Sequence, residues 1–133
     1  MSDSIKPPYD LEAERGVLSS ILLDKEALIK AAEMLNADDF YDPAHQIIYS
    51  ACLELFENAT AVDIVTVKAH LTRQNLLKKV GGLKYISELV AILPLTTNVE
   101  YYAKIIREAS TRRKIISISS DLVALGVDEN KKI

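Results

Sequence analysis

The sequence predicts an all-α protein, in which a compact multi-helix head is followed by one long projecting helix. Gly and Pro number only four each, which is too few for the frequent turns of a strand-rich domain. Apolar residues recur at three- and four-residue spacing in several segments, as on the buried face of a helix. Neither Gly nor Pro occurs between Thr97 and Gly126. We therefore expect a last helix of about 27 residues, or roughly 40 Å.

The composition limits the classes of function. At 133 residues and 49% hydrophobic content, the chain can form one domain with a real core. The net charge of −3 argues against a protein whose only task is to bind nucleic acid. A single cysteine excludes an internal disulfide and fits a reducing compartment. No apolar run is long enough to cross a bilayer, and the N-terminus is polar, so we expect a cytoplasmic protein.

Local signals divide the chain into four parts. Residues 1–8 form a flexible lead-in, residues 9–94 the helical head, residues 95–126 the long helix, and residues 127–133 a turn or truncated stub. Within the head, Asp10, Asp24, Asp42 and Asp63 stand where N-caps of helices are expected. Gly81-Gly82 marks a break, and Pro94 ends the helix that follows it, whose apolar residues are Leu83, Ile86, Leu89, Val90 and Leu93. Thr97 and Glu100 have the spacing of a capping box for the long helix, and Gly126 suits its C-cap region.

The stretch DDFYDPAHQIIY allows two interpretations. Asp38, Asp39, Asp42 and His45 could form the acid/base site of a small enzyme. The interpretation that we favour is a helix start, with Asp42 as N-cap and Pro43 as the first helical residue. In it, Asp38 and Asp39 cap a short turn that brings Phe40 and Tyr41 into the core.

Signals for other chemistry are missing from the sequence. Neither histidine has a nearby partner for a metal site, and no phosphate-binding loop or nucleophile motif occurs. We therefore expect this chain to be non-catalytic, with no metal site and no cofactor of its own.

The end of the long helix is unusually apolar. Ile115, Ile118, Leu122 and Leu125 form one stripe, and Ile116 and Val123 widen it to about half of the helix circumference. Such a surface predicts an intermolecular contact, with another copy, another protein or a missing segment of the same chain. The alternative is that the end folds back onto its own head. Arg112, Arg113 and Lys114 precede it, and we expect them to be solvated or to pair with acidic groups of a partner rather than to bind nucleic acid.

Five segments, read together, resemble one family: PPYDLEAERGVLSSILLD, DDFYDPAHQIIYSA, VDIVTV, VGGLKYISEL and NVEYYAKIIREASTRRKII. In order and spacing they are similar to the N-terminal domain of DnaB-type replicative DNA helicases. The resemblance implies a helical head followed by a helical hairpin, of which the long helix is the first arm. It also implies that ATP, Mg²⁺ and unwinding belong to a RecA-like ATPase domain, whose motifs this chain lacks.

The resemblance also implies partners in DNA replication. In this family the N-terminal domains pair through their hairpins, three pairs form a collar on the hexameric ring, and the collar docks the helicase-binding domain of DnaG primase in the primosome. The positions that the family uses toward primase correspond here to Glu12, Tyr85, Arg113, Ile116 and Leu122. A helicase loader is a further expected partner, whereas strong DNA binding and membrane binding are not expected. An adaptor of the loader type that shares only the helical head is the alternative.

Overall fold

The computed structural model describes residues 6–92 and 98–132. Within these ranges it contains helices and no strand, which confirms the prediction of an all-α protein. The six α-helices are α1 (Leu11–Leu23), α2 (Lys25–Met34), α3 (Pro43–Glu57), α4 (Ile64–Arg73), α5 (Gly82–Ala91) and α6 (Val99–Val127). Short 3₁₀ turns at Ala37–Asp39 and Lys78–Val80 lead into α3 and α5.

Aspartates mark the starts of the first four helices. The Asp10, Asp24 and Asp42 side chains accept hydrogen bonds from the backbone N–H of Ala13, Glu26 and Ala44. Asp63 and Thr66 exchange two such bonds in a capping box at α4. Each bond satisfies an N–H that the first turn of a helix otherwise leaves without a partner. The capping role expected of Thr97 lies outside the described residues.

Helix α1 is at the centre of the head, where it contacts α2, α3, α5 and α6. Its buried face includes Val17, Leu18 and Ile21, and a continuous core extends from there through Phe40 and Ile48. Burial of each large apolar side chain contributes about 1.5–3 kcal/mol to the free energy of folding, so this core is the main source of the stability of the head.

Helix α6 begins on the head and ends in solvent. Val99, Ala103, Ile106 and Ser110 are buried against the head, whereas all residues from 117 to 132 are exposed. At 1.5 Å per residue, the 29 residues of α6 span about 44 Å, and the part from Ser117 to Val127 extends roughly 16 Å beyond the head. The long projecting helix is therefore confirmed, and the alternative that its end folds back onto the head is wrong.

One local expectation, the burial of Tyr41, is wrong. Tyr41 is 38% exposed, because Phe40 and Tyr41 lie in an extended segment whose successive side chains point in opposite directions, and Phe40 takes the core position. Leu83 is 40% exposed in the first turn of α5, where Ile86 and Leu89 fill the inner face. Gly126 lies in the last turn of α6, one residue before the helix ends at Val127, as expected for the C-cap region.

Candidate partner-binding surface

The exposed end of α6 carries a set of apolar side chains that we call the apolar tip. Their exposed fractions range from 36% to 74% in Ile115, Ile118, Leu122, Val123, Leu125 and Val127. Ile115, Ile118, Leu122 and Leu125 follow one line along the helix, and Val123 and Val127 follow a second line beside it. The sequence prediction contained all of these residues except Val127. So many exposed apolar side chains on one short segment are typical of an interface.

The outward side of α6 continues this surface toward the head. A shallow groove there is lined by Tyr101, Ile105, Glu108, Arg112 and Ile115, among other α6 residues. Tyr101, Glu108, Ile115 and Leu122 recur every seven residues, which is the repeat by which two helices pack along a seam. The exposed face therefore runs along most of α6. From Ile115 onward the residues on this face are all apolar.

Arg113 fastens the base of the projecting segment to the head. Its guanidinium donates hydrogen bonds to the carbonyl oxygens of Pro8 (2.9 Å) and Asp39 (2.7 Å). It also lies 5.5 Å from the centre of the Tyr41 ring, which stacks on Tyr9 with a centroid separation of 4.3 Å. Arg113 is therefore not merely solvated, as the sequence had suggested, because two of its N–H donors bond carbonyl oxygens of the head.

Asp39 makes the second connection between α6 and the head. Its Oδ1 accepts a 2.7 Å hydrogen bond from the Ser110 hydroxyl and lies 3.5 Å from the Lys114 ammonium. Its Oδ2 accepts a 2.8 Å bond from the Asn36 N–H, which caps the turn before α3. One buried carboxylate thus fixes both the turn and the angle at which α6 leaves the head.

A buried polar chain crosses the head from α1 to α5. Glu14 accepts bonds from the N–H groups of Tyr41 (2.7 Å) and Asp42 (3.3 Å), and its Oε1 lies 2.7 Å from His45 Nδ1. His45 Nε2 lies 2.6 Å from the Tyr85 hydroxyl. Nδ1 donates to the Glu14 carboxylate, and Nε2 shares a hydrogen bond with the Tyr85 hydroxyl, which can donate or accept. The fully buried imidazole is thereby satisfied on both sides.

The position of Tyr85 depends on Gly81. Gly81 has φ +100°, which L side chains rarely adopt, and a Cβ there would lie 2.8 Å from the Tyr85 Cβ. Tyr85 is half-buried, and desolvation raises the pKa of its hydroxyl, although the positive charge of Arg15 acts in the opposite direction. At neutral pH the hydroxyl is therefore protonated and able to donate to His45.

The proposed acid/base site around Asp38, Asp39, Asp42 and His45 is not supported. Asp39 and Asp42 are used in capping and in holding α6, Asp38 is exposed, and His45 is enclosed between Glu14 and Tyr85. In the described ranges no three His, Cys, Asp or Glu side chains are grouped so that they could hold a metal ion. The helix-start interpretation accounts for the geometry.

The buried Glu14–His45 pair was not predicted from the sequence, although the helical spacing of both residues indicates buried positions. Glu14 precedes the core residues Leu18 and Ile21 by four and seven positions, and His45 precedes Ile48 by three. Both polar residues therefore lie on the buried faces of their helices. A charged or titratable side chain on such a face requires a buried partner.

The residues that the family resemblance implied for partner binding lie in two places. Glu12 is exposed in the first turn of α1. Tyr85, on α5, is half-buried at the surface of the head, and its hydroxyl bonds His45. Arg113 and Ile116 are half-buried at the base of the projecting segment, and Leu122 is fully part of the apolar tip. The structure thus separates Glu12 and Tyr85, on the head, from Leu122, which no part of the head contacts.

Comparison with known proteins identifies the family. The model described as DnaB-like helicase N terminal domain matches residues 6–108, which is more than three quarters of the chain. The chain belongs to this family. It therefore corresponds to the N-terminal, non-catalytic domain of a replicative DNA helicase, as the resemblance implied.

Individual relatives agree with this assignment. The chain is 40% identical over 127 residues to the replicative DNA helicase DnaB of Geobacillus stearothermophilus, covering 96% of this chain and 28% of that protein. The crystal structure of the N-terminal domain of DnaB helicase from Mycobacterium tuberculosis is similar, with a TM-score of 0.87 and 40% identity over 91% of this chain and 88% of that one.

A third match is a DnaB-like replicative helicase whose structure is described together with its interactions with primase. Its TM-score is 0.75 at 28% identity, over 86% of this chain and 27% of that one. The chain thus spans less than a third of the length of the full helicases that it matches. These matches are to helicases, so they favour the helicase domain over the loader-type adaptor. No helix in the described part of the chain is long and apolar enough to span a membrane.

Proposed function

We propose that this domain is an assembly and docking module of a bacterial replicative helicase. In this proposal the apolar tip pairs with the hairpin of a second copy, three such pairs form the collar of a hexamer, and the domain docks the helicase-binding domain of DnaG primase. The observation that carries the proposal is the continuation of α6 for about 16 Å beyond the head, with its apolar side chains in solvent.

Pairing is supported by the pattern of the apolar tip. Ile115, Ile118, Leu122 and Leu125 alternate at three- and four-residue spacing, which is the seam of a two-helix contact. Removing each of these side chains from water contributes about 1.5–3 kcal/mol. Arg113 and Asp39 hold the base of the projecting segment to the head, so the apolar tip points in a defined direction. Less conformational entropy is therefore lost when the tip pairs.

Docking of primase is supported by the family and by the positions of the implied residues. A solved relative at 28% identity is described by its interactions with primase. Glu12 and Tyr85 present a carboxylate and a phenol edge on the head, and Leu122 presents an aliphatic side chain on the apolar tip, so primase would contact two separate surfaces of the domain.

In this proposal the catalytic functions of the helicase belong to other parts of the intact protein. ATP and Mg²⁺ act in the ATPase domain of the intact protein, and this chain requires no cofactor. A helicase loader is a further partner, and the site of action is the bacterial cytoplasm. The chain itself contributes no strong DNA binding.

Sedimentation equilibrium tests the pairing. The double variant Ile118→Asp/Leu122→Asp should be monomeric under conditions in which the unchanged chain self-associates, because two carboxylates cannot be buried without partners. The control variant Ser117→Asp/Ala124→Asp adds the same charge on the opposite side of the same exposed segment and should keep the mass of the unchanged chain. Equal masses for the two variants would refute a role of the apolar tip in pairing.

Isothermal titration with a primase helicase-binding domain tests the docking separately. Glu12→Ala leaves the apolar tip unchanged, so it should weaken primase binding without altering the mass of the free domain. If the unchanged domain self-associates but gives no titration signal with primase, the docking proposal is contradicted and the pairing proposal is not.

A further inference from the structure

One surface of the head concentrates positive charge in a chain that is negative overall. Between Ile64 and Ser87 the sequence contains five Lys or Arg residues and no Asp or Glu, whereas the whole chain has a net charge of −3. The segment comprises α4, the 3₁₀ turn at Lys78–Val80 and most of α5. We call it the basic segment, and its charged side chains are Lys68, Arg73, Lys78, Lys79 and Lys84.

All five cations of the basic segment are exposed and available. None of them forms an ion pair or a side-chain hydrogen bond in the described parts of the chain, residues 6–92 and 98–132. Some cations elsewhere in the chain, such as Lys25 and Lys104, are also unpaired, so the feature particular to this segment is the absence of Asp and Glu among its five cations. Unpaired like charges repel one another, and binding of a negatively charged partner relieves that repulsion.

The elements that carry the cations contact one another in the fold. Arg73 ends α4, Lys78 and Lys79 lie in the turn, and Lys84 lies in the first turns of α5, while α4 and the turn both contact α5. Leu83 lies between the lysines of the turn and Lys84 in the sequence and is 40% exposed. An exposed apolar side chain close in sequence to lysines is suited to a partner that carries both carboxylates and an apolar anchor.

The aromatic content of the basic segment distinguishes between two classes of anionic partner. Proteins that bind single-stranded nucleic acid combine cations with exposed aromatic rings on which bases stack. The two rings of the segment are both engaged, since His70 Nε2 lies 2.7 Å from Glu54 Oε2 and the Tyr85 hydroxyl bonds His45. Neither ring is freely exposed. A base would find no stacking platform there, whereas carboxylates of a protein need none.

We propose that the basic segment is a docking surface for an acidic protein segment, with Lys78, Lys79 and Lys84 as its charge contacts and Leu83 as its apolar contact. The surface lies on the head, so it acts independently of the pairing of the apolar tip. Electrostatic attraction of this kind speeds association and weakens with added salt.

The test uses a fluorescein-labelled peptide of Glu residues with Leu at every fourth position, titrated with the protein by fluorescence anisotropy. Lys78→Glu/Lys79→Glu/Lys84→Glu should weaken binding by about tenfold or more, since each exposed ion pair contributes a factor of roughly 1.5 to 5 in affinity. Lys25→Glu/Lys104→Glu/Lys131→Glu changes the net charge equally outside the segment and should retain most of the affinity. Leu83→Ser should weaken binding without changing its salt dependence.

Three results would overturn the assignment. The first is no binding of the acidic peptide at low salt, or equal losses in the two triple variants. The second is tighter binding of a 20-nucleotide oligo(dT) than of the peptide, with the same loss in Lys78→Glu/Lys79→Glu/Lys84→Glu, which would assign the surface to nucleic acid. The third is self-association that this variant abolishes, which would assign it to a second copy. Helix content by circular dichroism confirms that each variant is folded before it is titrated.

Discussion

Replacing Glu14 by Ala should destabilise the head strongly, because one buried carboxylate accepts three hydrogen bonds from the turn and helix that follow it in the fold. Glu14 is 1% exposed and accepts from the Tyr41 and Asp42 N–H groups and from His45. Three bonds to a charged acceptor contribute about 1.5–3 kcal/mol each when taken singly. They share one acceptor and are not additive, so we expect a loss of about 3–5 kcal/mol, as for breaking a buried pair.

Urea unfolding followed by circular dichroism measures this loss. With an m-value of about 2 kcal/mol per molar urea, a loss of 4 kcal/mol lowers the midpoint by roughly 2 M. Glu12→Ala is the matched control, since Glu12 lies two residues away in the same helical turn but is exposed. Its effect should stay within about 0.5 kcal/mol. A Glu14→Ala loss no larger than that of Glu12→Ala would refute the view that the polar chain holds α1, α3 and α5 together.

Further predictions concern the caps, the glycine break and the buried thiol. Asp42→Ala should lower the unfolding free energy by about 1 kcal/mol in the same assay, whereas Asp38→Ala, at an exposed position, should be nearly neutral. Gly81→Ala should cost roughly 1–3 kcal/mol and displace Tyr85, whereas Gly82→Ala, with nothing within 4 Å of the added Cβ, should cost less; equal losses would contradict the close approach to Tyr85. Burial raises the pKa of the Cys52 thiol from 9.0 to about 12, so the unfolded chain releases this proton at a lower pH than the folded one. Because of this group, the free energy of unfolding should fall above pH 9 by up to about 1.4 kcal/mol per pH unit. Cys52→Ala should remove that part of the slope. Identical pH profiles of unfolding for the two proteins would refute this assignment.

Most of the helical framework was predictable because its signals are local. A capping aspartate acts on an N–H two or three residues away, as Asp10, Asp42 and Asp63 do, so residue type and spacing suffice to place a helix start. The projection of α6 follows from its uninterrupted length, which exceeds what the head can cover. The apolar tip was evident from spacing alone, since no contact is needed to recognise a stripe.

Residues that act over long separations were not predictable in this way. Glu14 and His45 are 31 residues apart, His45 and Tyr85 are 40 apart, and the bond from Arg113 to Pro8 joins residues 105 apart. Which helix faces which decides these contacts, and periodicity reports only that a face is buried. Phe40 and Tyr41 show the same limit, since both are aromatic and only the packing of the assembled head decides which of the two enters the core.

The sequence by itself therefore determined the all-α class, the helix starts, the projecting apolar tip and the resemblance to the helicase N-terminal domain. The tertiary structure decided that Arg113 and Asp39 anchor the projecting segment and that His45 is a buried link rather than an acid/base group. It also decided that the five cations between Ile64 and Ser87 have no ion-pair partner in the described ranges. The physical reason is the range of the interactions. Hydrogen bonds within one turn are set by neighbouring residues, whereas burial and ion pairing depend on side chains that only the folded chain brings together.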